Sequence, residues 1–159
     1  MFGPIHVVII DFTDGVGYIE GDCGRSFPKS YAWFQCNDFL KKACVTVSIA
    51  DIPFAGFHFQ GCICAVHIND TEYRLATYKG VKILACTEDC IVLKQRDLTL
   101  ELQIFKSDGQ RLLAPAKGRM NREIRESIVC PAKIRFSKND NILIDEVSNR
   151  ASFEFVQGH

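Results

Sequence analysis

Residues 57–77 read FHFQGCICAVHINDTEYRLAT, two stretches rich in β-branched and aromatic residues on either side of Asn69-Asp70. Such side chains fit a pleated, half-buried surface, and Asn and Asp favour the backbone geometry of tight turns. The segment therefore reads as a β-hairpin. On its first strand Cys62 and Cys64 fall on one face, because successive side chains alternate.

Outward from this hairpin the same signature recurs about every ten residues. Candidate strands cover 6–10, 16–20, 31–37, 44–50, 57–68, 72–77 and 81–85, then 91–94, 98–105, 111–114, 128–137, 142–146 and 151–156. Lys79-Gly80, Asp108-Gly109 and Asn139-Asp140-Asn141 supply further turns, so neighbouring strands are expected to pair as an antiparallel meander. The helical candidate is the charged run 120–126, short enough to be a turn. A meander of this many strands hides its edges most completely by closing. The expected fold is all-β, an antiparallel lipocalin-like (calycin-like) β-barrel with little helix, its apolar interior able to hold a small ligand. A chain of 159 residues, 47% hydrophobic, suits one such domain over 1–159.

Composition narrows the partners. Lys plus Arg and Asp plus Glu both number 19, so no net positive field draws nucleic-acid phosphates or anionic lipid. No run approaches the roughly 18–20 apolar residues of a membrane helix; the run 7–10 is interrupted by Asp11. The start of the chain lacks the basic, apolar and small-residue regions of a secretory signal, which places the protein in the reducing cytoplasm. The eight cysteines then read as buried thiols, Cys86 and Cys90 flanking a turn. No pair has zinc-site spacing, and His6, His58, His67 and His159 are scattered, so neither a metal nor a cofactor is expected. No Gly-x-Ser-x-Gly elbow surrounds Ser26 or Ser30, and no phosphate loop precedes a helix.

The densest chemistry lies in residues 17–39, GYIEGDCGRSFPKSYAWFQCNDF. Alternation puts Tyr18, Glu20 and Asp22 on one face of one strand, and Tyr31, Trp33, Gln35 and Asn37 on one face of the next. If the two strands pair, carboxylates face aromatic rings and an amide. Gly21, Gly24 and Pro28 shape the intervening loop. The plainer reading is a solvated cluster of Glu20, Asp22 and Arg25 on a barrel rim, with Trp33 as ordinary core and Lys29 facing solvent.

This segment resembles the tocopherol cyclase family pattern of Gly-Tyr-x-Glu-x-Asp-Trp-Gly-x-Ser-Phe-Pro followed by an aromatic pair and Gln-x-Asn. Gly17, Tyr18, Glu20, Asp22, Gly24, Ser26, Phe27, Pro28, Trp33, Gln35 and Asn37 fit it, while Cys23 and Tyr31 stand where tryptophan is usual or frequent. Residues 48–54, 61–66, 73–78 and 151–154 are also similar to bacterial members. The resemblance implies one of two side-by-side lipocalin-like barrels, and a homodimer in place of the missing barrel is one partner to be considered. It further implies acid-initiated ring closure of a prenylated quinol. Asp22 and Glu20 would be the proton donors; Tyr18, Tyr31, Trp33, Gln35 and Asn37 would hold the substrate. A carboxylic acid in an apolar pocket stays protonated nearer neutrality, and aromatic faces stabilise a carbocation. Two alternatives remain at this stage: a barrel that carries a terpenoid or fatty molecule without chemistry, and a structural or interaction protein.

Overall fold

A computed structural model describes residues 28–105, 110–116 and 119–158, with Thr13, Gly17 and Ile19. The candidate strands at 6–10 and 16–20 and the Asp108-Gly109 turn lie outside the described residues. Ten strands are described: β1 (Tyr31–Cys36), β2 (Ala43–Phe54), β3 (Phe57–Ile68), β4 (Thr71–Ala76), β5 (Lys82–Cys86), β6 (Cys90–Gln95), β7 (Leu98–Ile104), β8 (Gln110–Ala116), β9 (Arg119–Lys138) and β10 (Asn141–Val156). A short 3₁₀ turn, Thr77–Lys79, joins β4 to β5.

The strands form one sheet in the order β4-β3-β2-β1-β10-β9-β7-β6-β5, with β8 on β9, and every pairing is antiparallel. The sheet curls into a half-barrel, so the expected all-β barrel class is the one the chain adopts. Two local expectations are corrected. Residues 120–126 are not a helix: they form the first part of β9, where 119–126 pair with β8 and 132–138 pair with β7. Strand pairing overrides the weak helical preference of a short charged run. The strands expected at 142–146 and 151–156 are one strand, β10, whose register shifts between Ser148 and Ala151. Ser148 Oγ holds that irregularity, donating to Asp38 Oδ2 at 2.9 Å and accepting from the Arg150 N–H at 3.0 Å. The meander also breaks twice, since β7 pairs with β9 rather than with β8, and β4 and β5 lie at opposite ends of the sheet.

Side chains on the concave face make the core. Ala32, Phe34 and Cys36 of β1, Val45, Val47 and Ile49 of β2, and Cys62, Cys64 and Val66 of β3 are all buried there, as alternation requires. Strands far apart in the sheet meet across the interior: the Tyr73 ring of β4 lies 5.3 Å from Phe136 of β9. Among the described residues the curl is thus filled by side chains, not left as a lumen.

Among the described residues one amide links β6, the strand next to the β5 end, to β4 at the other end of the sheet. Gln95, buried at the end of β6, accepts from the Ala76 N–H at 2.9 Å and donates to the Arg74 carbonyl at 3.0 Å. Those are groups on the outer edge of β4, so the side chain replaces the ladder that a closed barrel would have. Tight turns set the register elsewhere. Ala55 (φ 48°) and Gly56 (φ 85°) form the two-residue β2–β3 turn, and Asn139 (φ 49°) and Asp140 (φ 63°) form that between β9 and β10.

Candidate functional site

β1 lies between β2 and β10, and its odd-numbered side chains point away from the core. The expectation that Tyr31, Trp33, Gln35 and Asn37 share a face opposite Ala32, Phe34 and Cys36 agrees with this arrangement for the strand residues 31–36. Register supplies their neighbours. Tyr31 stands opposite Ala50 and Val156, Trp33 opposite Ser48 and Glu154, and Gln35 opposite Thr46 and Ser152. Asp22, Glu20 and Tyr18, together with Cys23, lie outside the described residues.

The strand order adds a carboxylate that pattern reading had not singled out. Glu154 of β10 accepts a hydrogen bond from the Tyr31 hydroxyl and sits beside Trp33 in register. The signal was available: in the closing strand Ser152 and Glu154 alternate with Phe153, which points into the core. What was not legible is that β10, more than a hundred residues away, pairs with β1.

Gln35 is 7% exposed although it faces away from the core, and its Nε2 finds no oxygen or nitrogen acceptor. A buried amide N–H without a partner costs about 1–3 kcal/mol. Burial pushes the Cys44 thiol up from its ordinary value, against side-chain hydrogen bonding from Thr46 and Gln35. The site therefore has a phenol bonded to a carboxylate, an indole, and an amide donor with unused capacity.

At the end of the curl where β1 starts, a cleft of about 160 Å³ is lined by Tyr31, Ala50, Asp51, Gln60, Cys86 and Val156, among others. That is below the roughly 300–1,000 Å³ of pockets that enclose drug-sized ligands. Asp51 at its wall pairs with His58 Nδ1 at 2.9 Å, which gives this histidine a partner that its sequence position did not suggest.

Cys36, Cys44, Cys62, Cys64, Cys86, Cys90 and Cys130 are free thiols. Desolvation raises Cys62 to about 12, with Cys86 adding to it, and raises Cys130 to about 11, with Cys36 adding to it; Cys64 is raised further still. Such thiols are weak nucleophiles and metal ligands. Among the described residues no group of three or more His, Cys, Asp or Glu is placed to hold a metal ion, and no helix is long and apolar enough to cross a membrane.

The class that these observations define is an all-antiparallel curled half-barrel with a polar and aromatic patch on the outer face of β1, an interior strand of the sheet. No family model, curated protein or solved structure matches the chain.

Proposed function

We propose that this chain is a tocopherol cyclase-like domain that binds a hydrophobic prenylated quinol or terpenoid in a reducing, cytoplasmic setting, with acid-initiated ring closure as its reaction. The observation that carries the reading is the unspent Nε2 donor of the buried Gln35, next to Trp33 and near the Tyr31–Glu154 pair. An orphaned buried donor is rare in native proteins and suits a ligand oxygen as its partner. In this reading the ligand reaches Gln35 from the outer face of β1, where Ala50 and Val156 stand opposite Tyr31, rather than from the barrel pocket first expected.

In this reading the Gln35 amide orients the quinol hydroxyl, and the Trp33 ring lies under the prenyl double bond. A protonated carboxyl group adds its proton to the less substituted alkene carbon, leaving a tertiary cation that the aromatic ring stabilises. The phenol oxygen then bonds to that cation and its proton returns to the carboxylate, so the reaction is a net isomerisation. Asp22 and Glu20 fill the donor role by resemblance, and Glu154 is a third carboxyl group at the same face. Desolvation of the site would keep the donor protonated and water away from the cation. A second copy of the chain belongs to the same proposal as its partner.

Trp33 is the chain's one tryptophan, so its fluorescence reports on this face alone. Titration with a prenylated quinol is expected to change that emission saturably. Gln35→Leu should weaken binding at least about tenfold, the worth of one buried hydrogen bond. An unchanged emission, or equal binding by wild type and Gln35→Leu, overturns the reading.

A further inference from the structure

Five of the large apolar side chains left in the open are gathered on one hairpin, while others such as Leu40, Leu84 and Val129 stand apart. Ile52 and Phe54 of β2 and Phe57, Phe59 and Ile63 of β3 are exposed by 39%, 69%, 77%, 42% and 60%. Register puts Ile52 opposite Phe59 and Phe54 opposite Phe57, and alternation places all five on the outer face, away from Ile49 and Cys62 in the core. Gly61 flattens this face: a Cβ there would run into the Ile52 side chain, which lies across it against Phe59. At about 200 Å² for a fully exposed side chain of this size, the five present on the order of 550 Å² of apolar surface. That is at the upper end of the roughly 300–600 Å² of the largest patch on a typical monomer.

Charge decides what covers it. The outward positions from Thr46 to Phe54 and from Phe57 to Ala65 carry no ionisable side chain. A bilayer surface would find no cation there for its phosphates, and a charged partner nothing to pair with. A second copy meets no like charge. The rim beyond carries both signs, Glu72 bonded to Arg74 at 2.7 Å and to His67 at 3.4 Å. Tyr78, 68% exposed, interacts with Arg74 at the same edge. An apolar centre with a polar rim has the anatomy of a protein interface, and with that rim the face approaches the roughly 800 Å² per partner of a stable one.

We infer that the outer face of the β2–β3 hairpin is a self-association surface, on which a second copy of this chain packs face to face about a two-fold axis. Such an interface is isologous, the same five side chains contributing from each copy, with sheets about 10 Å apart. It names the surface for the partner proposed above and does not depend on whether a ligand is bound. The test is sedimentation velocity of the full chain over a hundredfold concentration range, with Phe57→Asp, Ile63→Asp and, as a control at a distant exposed apolar site, Leu84→Asp. Wild type and Leu84→Asp should rise from the 17.9 kDa monomer toward twice that mass, while the two hairpin variants require at least about tenfold more protein to do so. A wild type that stays monomeric overturns the inference, as does a Phe57→Asp variant that associates like wild type. Monomers that float with phosphatidylcholine vesicles overturn it too, because the face would then be a lipid surface.

Discussion

Replacing Gln95 with Met keeps the length and volume of the side chain and removes both of its hydrogen bonds. The Ala76 N–H and the Arg74 carbonyl lose their partners at 2.9 and 3.0 Å, and Ala76 is fully buried. Each unsatisfied buried group costs about 1–3 kcal/mol; because Arg74 is partly exposed, its carbonyl recovers part of that from water. The expected loss is about 2–4 kcal/mol, a sizeable share of the roughly 5–15 kcal/mol that holds a typical domain. Urea unfolding should show it as a lowered midpoint, and a loss near 3 kcal/mol lowers Tm by roughly 6–12 °C in a chain of this size. Amide exchange at Ala76 should quicken more than at Leu93, which lies in the same region but bonds within the sheet. Gln103→Met, at an exposed position of β7, is the control and should move the midpoint by less than about 0.5 kcal/mol. If Gln95→Met behaves like Gln103→Met, the two ends of the sheet are not held by this amide and the account of closure fails.

Three further outcomes follow from local geometry and titration. Ala55→Gly relieves a left-handed residue in the β2–β3 turn and should raise stability by about 0.5–1 kcal/mol, whereas Gly56→Ala should lower it by about 1–2 kcal/mol; urea midpoints read both. Gln35→Leu removes an orphaned buried donor and should stabilise the chain by about 1 kcal/mol or more while weakening the ligand; a destabilised variant would mean the amide already has a partner. The raised thiols bind protons more tightly folded than unfolded, so their contribution is complete below the ordinary value of 9.0 and is lost as pH rises toward about 11 for Cys130 and about 12 for Cys62. Urea midpoints should therefore fall between pH 9 and 11, less steeply in Cys62→Val, and a Cys62→Val slope equal to wild type would contradict the burial argument.

The hairpin at 57–76 was readable because alternation, β-branched content and a turn dipeptide agree there, and β3 begins and ends where the pattern does. Ser148, Asn149 and Arg150 have the composition of a loop, yet the bonds of Ser148 to Asp38 and Arg150 keep them within one strand, β10. Pairings between distant segments left no local trace: β1 with β10, β7 with β9, and the bond from Gln95 to β4. Gln95 in particular sits in Lys94-Gln95-Arg96-Asp97, which reads as a solvated turn. For the site, alternation grouped Tyr31, Trp33 and Gln35, but only the strand order could bring Glu154 to them. That side chains meet across the curl among the described residues was hidden for a related reason, since nothing in a single strand tells how far Tyr73 and Phe136 reach.

The most direct test of the central claim is native mass spectrometry of the protein purified from cells, wild type beside Gln35→Leu. The account expects a bound prenylated quinol or terpenoid on wild type, carried equally by each copy in any dimer, and its loss from the variant. Wild-type protein without such a ligand, or the same ligand retained by Gln35→Leu, would contradict the claim that this face of β1 is a binding site.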